Sequence, residues 1–295
     1  MTYDVIIIGG SYAGISAATQ LGRARRKVLV IDGGERRNRF AQSSHGFLTR
    51  DGTAAAEIAA IGREQLRAYS TVRWMDGQAE RAEAADDGFR VVTRAGEALA
   101  ARRLVLAMGV RDELPNVPGL AERWGKSVFH CPYCHGYELD QAPLGVLAAS
   151  PMSMHHAMML PDWGPTTFFL NDAFAPDDEQ RARLERRGVV IEGGAVERVV
   201  GERADVVMRD GRIFPLAGLF TLPRVSPSTP MAEQLGCEVE EGPMGTVIRV
   251  DERKTTSIAG VYACGDAARM GGSLPLAVSD GVIAGVAAHQ SLIFG

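Results

Sequence analysis

Tyr3-Asp4-Val5-Ile6-Ile7-Ile8-Gly9-Gly10-Ser11-Tyr12-Ala13-Gly14 decides the fold. Val5 to Ile8 are all β-branched, and the run closes on glycine. That is the pattern of a strand buried on both faces of a parallel sheet. Small residues at helical spacing follow (Ala13, Ala17, Ala18), up to Gly22, and Lys27-Val28-Leu29-Val30-Ile31-Asp32 makes a second strand ending on an acid. Strand, glycine turn, helix and acid-ended strand within about 30 residues form a βαβ unit of the dinucleotide-binding kind. Gly9 permits the tight turn and Gly14 the close helix–strand approach, whereas Ser11 departs from G-x-G-x-x-G at its second glycine. A pyrophosphate is expected on the free N–H groups around Ser11, Tyr12, Ala13 and Gly14, and a ribose on Asp32.

Working outward, Arg103-Leu-Val-Leu-Ala-Met-Gly109 reads as a further buried strand ending on glycine. Pro115, Pro118 and Gly119 mark a linker. Beyond it, Leu144–Ala149 and Thr167–Asn171 read as strands of a second α/β unit. The helical stretch Met152–Trp163 joins them, and Pro161 must end or kink it. Pro223, Pro227 and Pro230 mark a second boundary, before the strand Val261-Tyr-Ala-Cys-Gly-Asp266 and a small-residue helix from Leu276 to His289. The fold class expected is α/β, with two Rossmann-like (three-layer ββα) dinucleotide-binding domains, the second inserted in the first. Residues 1–114 and 225–295 form the outer domain, and 115–224 the insertion.

The 295 residues are long enough for two cores, and 46% hydrophobic with 23% charged is ordinary for a globular protein. Lys+Arg (32) against Asp+Glu (36) gives −4, with no basic tract for nucleic acid. The start has no basic n-region, and no window reaches the ~20 apolar residues of a membrane span. A cytoplasmic protein without membrane or nucleic-acid partners is expected. Four cysteines in this length are not a disulfide framework. Cys237 and Cys264 read as inert.

His130-Cys131-Pro132-Tyr133-Cys134-His135-Gly136-Tyr137-Glu138 admits three chemistries and a purely structural role. A Cys-x-x-Cys opening a helix can lower one thiol's pKa and form a reducible disulfide. Structural zinc wants four ligands, and no second pair stands elsewhere in the sequence, so no metal is expected. C-x-x-C-H is also the c-type haem attachment pattern, which would need export. The redox dithiol is the reading adopted, with Cys131 and Cys134 as reactive sulfurs.

These elements, in this order, resemble the low-molecular-weight thioredoxin reductases. The glycine loop 9–14, the Ala107-Met108-Gly109 strand end, Cys131-Pro-Tyr-Cys134 and Ala263-Cys-Gly265-Asp266 all lie in that family's places. The resemblance implies a homodimer with one FAD per subunit. It places Asp266 and Gly265 on the ribitol, and further FAD contacts at Gly33, Arg39, His45, Ala79, Ala107 and Gly109. It also implies that Cys134 faces the flavin while Cys131 exchanges with the outside dithiol.

Two departures point away from reduction. His135 stands where the reductases have an acid, and an imidazole with an ordinary pKa near 6.5 suits taking protons from thiols. The second nucleotide site lacks its loop: Ala148-Ala-Ser-Pro-Met-Ser-Met154 has no glycine, and Asn171-Asp172 stands where an arginine pair would meet a 2′-phosphate. The C-P-Y-C-H-G-Y-E stretch and His45-Gly46-Phe47-Leu48 are similar to flavin dithiol oxidases that close disulfides in gliotoxin-, holomycin- and romidepsin-type products. That resemblance implies a small dithiol substrate and O₂ as electron acceptor. The rivals are a reductase driven by NADPH or ferredoxin, and a non-catalytic redox sensor.

Overall fold

The computed structural model describes residues 2–295. They divide into two compact units: residues 2–39, Ala54–Arg111 and Val225–Gly295 form one, and Phe40–Thr53 with Asp112–Arg224 the other. Phe40–Thr53 thus departs from the sequence-based boundary, which kept it in the outer domain. Its side chains are drawn to the second unit, where Phe40 sits against Gly125 and His45 against Glu138.

The first unit opens with β1 (Thr2–Ile8), α1 (Tyr12–Arg23) and β2 (Val28–Asp32), then α2 (Ala55–Leu66), β3 (Val72–Asp76), β4 (Ala79–Ala85), β5 (Gly88–Thr93) and β6 (Ala98–Leu106). The sheet order is β3-β2-β1-β6-β5-β4. On its edge away from β1, strand β6 serves two neighbours along its length. Its first half pairs antiparallel with β5, and Leu104–Leu106 pair in parallel with Val261–Ala263. Val5, Ile6 and Ile7 are fully buried, as a strand covered on both faces requires.

The helix Leu274–Phe294 runs 21 residues, beyond the 276–289 expected. By length and composition alone it could cross a bilayer, which corrects the expectation that no window does. Here its small residues serve close packing instead. A Cβ at Gly281 or Gly285 would run into the backbone of Ala13 or Ala17 in α1. Asp280 of this helix is 1% exposed and bonded to both Lys254 and Arg269.

In the second unit, Val190–Glu192, Thr166–Phe169, Leu144–Leu147, Gly218–Phe220 and Val128–Phe129 line up as a five-stranded sheet, parallel throughout. Val196–Val200, Asp205–Met208 and Ile213–Phe214 add an antiparallel sheet. The reactive segment emerges directly from Val128–Phe129 as the one-turn helix α3 (Pro132–His135). Pro161 acts as its chemistry demands: α4 (Ser153–Met159) gives way to a 3₁₀ turn at Leu160–Asp162.

Candidate active site

In the first unit the glycine loop is built for an anion. Gly9 has φ +103°, and any Cβ there would strike the Ala107 carbonyl, so the two expected contacts Gly9 and Ala107 abut. Ser11 is the N-cap of α1 without a side-chain cap, and the first helical bond is Ile15 N–H to Ser11 C=O, 2.9 Å. The amides of Tyr12, Ala13 and Gly14 precede that bond and point out of the helix end. Asp32 accepts from Gly10 N–H (3.1 Å) and reaches the same turn. Gly33 lies against Gln78, the residue before Ala79 at the head of β4. Gly109 and Gly265 both take positive φ, +70° and +69°, at the ends of adjacent strands. An open helix N-terminus with an acid on either side fits the diphosphate and two polyols of FAD.

The guanidinium of Arg39 donates to the Arg36 carbonyl at 2.9 Å. Arg37 pairs with Asp266 at 2.8 Å, and Tyr12 Oη bonds both Asn38 and the Ala55 carbonyl. Sequence reading missed Arg37 and Asn38 because the partners are 229 and 26 residues apart, far beyond local periodicity.

In the second unit Cys131 and Cys134 form a disulfide with Cα atoms 5.3 Å apart. Cys131 is the N-cap of α3 and Pro132 its first residue, a position where a missing N–H costs nothing. Gly136 lies so close to the Trp163 indole that a Cβ would collide with it, and Tyr133 meets the same indole edge-on at 5.2 Å. Both cysteines are half-buried. Cys237 and Cys264 are buried thiols whose pKa burial pushes up, to about 12 for Cys264, so they are inert as expected.

His135 stacks on Phe129 at 4.3 Å, and burial pulls its pKa down to about 4, helped by the nearby charge of His45. This corrects the expectation of an imidazole poised near neutrality. At pH 7 the ring is neutral, so one ring nitrogen can accept a proton. His45, expected as an FAD contact, has Nδ1 3.3 Å from Oε1 of Glu138, on the turn that follows the cysteine helix, and Nε2 2.9 Å from Ser43 Oγ. His156 on α4 is 3% exposed, with a pKa likewise pulled to about 4 by burial.

Acid sensitivity follows. His135 and His156 have folded-state values of about 4 against an ordinary 6.5, so the unfolded chain takes up their protons first. Stability is therefore expected to fall as pH drops from 6.5 towards 4, by at most ~1.4 kcal/mol per pH unit for each histidine. Urea unfolding across that range checks this, and His156→Phe is expected to flatten the slope by one histidine's share. Identical slopes in both proteins would refute the assignment.

A family model described as pyridine nucleotide-disulphide oxidoreductase matches residues 3–281. Thioredoxin reductase tcpT of Claviceps purpurea is 32% identical, covering 98% of this chain and 94% of its own length. The crystal structure of an oxidoreductase from Agrobacterium tumefaciens superposes with a TM-score of 0.98 at 56% identity, covering 100% of this chain and 99% of that one. The crystal structure of HlmI does so with a TM-score of 0.91 at 36% identity, covering 99% and 93%. With an open dinucleotide loop in one unit and a Cys-x-x-Cys disulfide in the other, the chain belongs to the pyridine nucleotide-disulphide oxidoreductase family, as a thioredoxin reductase-like, FAD-binding disulfide oxidoreductase.

Proposed function

We propose that this protein is a FAD-dependent dithiol oxidase. It closes a disulfide in a small dithiol through Cys131–Cys134, with O₂ as final acceptor: R(SH)₂ + O₂ → R(S–S) + H₂O₂. FAD supplies a two-electron acceptor that O₂ can reoxidise. The chain's own residues do the rest. Cys131 and Cys134 exchange with the substrate sulfurs, and His135 takes protons at its free ring nitrogen.

The observation that supports this direction is the turn after Leu144–Leu147, the place where a nicotinamide dinucleotide would need open amides. Here they are used internally. Ala149 N–H donates to Ser153 Oγ at 3.0 Å, and Ser153, Met154 and His155 N–H donate to Ser150, Pro151 and Met152 carbonyls at 3.0, 3.2 and 3.0 Å. Pro151 has no N–H to offer. Asn171, where a 2′-phosphate would want a cation, is occupied in accepting Val196 N–H at 2.9 Å. With α1 open and α4 closed upon itself, one nucleotide rather than two is expected.

The alternative is an NADPH- or ferredoxin-driven disulfide reductase, favoured by relatives such as the thioredoxin reductase tcpT of Claviceps purpurea. Oxygen uptake separates the two. With dithiothreitol as probe, the oxidase consumes one O₂ and yields one H₂O₂ per disulfide closed. A reductase shows no dithiol-driven uptake and instead oxidises NADPH when given a disulfide. We further propose a homodimer, because the outer face of the C-terminal helix exposes Leu276, Ile283, Val286 and Ile293.

A further inference from the structure

Tyr133 stands inside the ring that the disulfide closes. The turn from Cys131 to Cys134 is tied by the S–S bond, with Cα atoms 5.3 Å apart, and by Cys134 N–H donating to the Cys131 carbonyl at 3.2 Å. A small molecule whose sulfur reaches either cysteine therefore arrives beside Pro132 and Tyr133. Pro132 is buried, whereas Tyr133 is 74% exposed. The pattern repeats four residues on, where Gly136 is buried and Tyr137 is 86% exposed. The segment turns its small residues inward and its two large aromatic ones outward, the reverse of the arrangement that burial favours. Stability gives no reason for that choice, and an aromatic pair left open beside reactive sulfurs is the kind of surface that meets a ligand.

The Tyr133 ring is braced rather than loose. It meets the Trp163 indole edge-on, with centroids 5.2 Å apart and planes at 90°. Trp163 is itself packed against the core of the second unit, and its N–H donates to the Leu160 carbonyl at 2.9 Å. The same indole lies so close to Gly136 that a Cβ there would meet it at 2.6 Å. One ring anchored in the core thus touches both the backbone of the cysteine segment and the exposed tyrosine. A side chain restrained in this way loses less freedom when a ligand settles on it. The size of the surface points to a small occupant. Two tyrosine side chains offer at most a few hundred Å², whereas a protein partner needs about 800 Å² on each side.

We propose that Tyr133, braced by Trp163, is the specificity-determining wall of the disulfide centre, and that the dithiols it selects carry their sulfurs on a flat, apolar ring that lies against the tyrosine. Trp163 is a positioning residue, since it acts on the substrate through Tyr133. The proposal rests on the oxidase assignment above and names the substrate class of that same site.

The test mixes FAD-loaded enzyme with one of two probes, without oxygen, and follows flavin bleaching. Dithiothreitol and 1,2-benzenedimethanethiol each lose two protons, pass two electrons to the Cys131–Cys134 disulfide and close a six-membered disulfide ring. Only the second carries an aromatic ring. The quantity read is the ratio of their second-order rate constants, aromatic probe over dithiothreitol, in which any change to the disulfide itself cancels. Tyr133→Ala is expected to lower this ratio about tenfold, the scale of one lost aromatic pair with the area it buries. Tyr133→Phe should restore it, because the ring and not the hydroxyl makes the contact. Trp163→Leu should lower it about two- to threefold, the low end of the same scale. If Tyr133→Ala fails to fold, Tyr133→Leu is judged by the same ratio.

An unchanged ratio in the Tyr133 variant would overturn the wall. So would equal slowing with both probes, which is the signature of a disturbed helix. Reduced thioredoxin bleaching the parent faster than the aromatic probe would overturn it too, since the exposed rings would then serve a protein. All three results leave the parent's reduction by dithiols standing. A parent bleached by neither small probe would instead remove the oxidase assignment, and the wall with it.

Discussion

Replacing Cys131 or Cys134 by serine is expected to lower dithiol turnover by on the order of 10⁴-fold or more, the scale of other nucleophile deletions, with FAD still bound. Serine cannot form the mixed disulfide, and the remaining thiol has no partner to close upon. Because the two sulfurs act as one device, the double variant should be no worse than either single one. The dinucleotide loop lies in the other unit, so the flavin absorbance of purified protein should be unchanged. Oxygen uptake with dithiothreitol reads the loss directly. A single variant retaining a tenth of parental turnover would mean that electrons reach FAD by another path.

The second large effect concerns the buried ion triad. Asp280 is 1% exposed and accepts Lys254 Nζ at 2.9 Å and Arg269 Nη2 at 2.8 Å. Burial works against its charge, yet hydrogen bonds from Arg269 and Lys254 hold its carboxyl below the usual range. Asp280→Asn would leave Lys254, only 11% exposed in its side chain, facing a neutral amide beside a second cation. Removing one partner of a buried pair costs about 3–5 kcal/mol, because the survivor keeps its desolvation penalty. On the order of 10 °C in Tm is expected. Arg269 follows the Gly265–Ala268 turn that presents Asp266, so FAD affinity should weaken as well. Replacing Lys254 and Asp280 together by Met and Leu should recover much of the loss, since an apolar pair of similar volume carries no unpaired charge. Equal Tm values for parent and Asp280→Asn would show that the triad is not a stabilising element.

What was legible in the sequence was what local pattern encodes. The run Val5–Ile8, the glycine at position 9, the small residues of α1 and the acid at the end of β2 each act on near neighbours, and the βαβ unit followed from them. So did the break at Pro161, because the ring's effect is confined to one helical turn. What escaped depends on chain segments that meet only on folding. Arg37 finds Asp266 across 229 residues, while Arg39, equally basic and two positions on, turns to the Arg36 carbonyl. His45 reads as part of a flavin-domain turn, yet its partner is Glu138 on the cysteine segment. His135 was legible as an imidazole in the right place but not as a half-buried one, and that burial rather than residue type sets its pKa. The C-terminal helix was legible as helix, but its reach to Phe294 was not. Small residues chosen for close packing look alike whether they meet protein or lipid.

In the oxidase cycle proposed above, electrons enter from a dithiol and not from a nicotinamide. The most direct test is the absorbance spectrum of the FAD-loaded protein without oxygen, recorded before and after excess NADPH, and again after dithiothreitol. The self-bonded turn at Ala149–His155 predicts an unchanged flavin band with NADPH, bleaching with dithiothreitol and full recovery on admitting air. Bleaching by NADPH would contradict the account, returning the protein to the reductive direction and the second unit to a working nucleotide site.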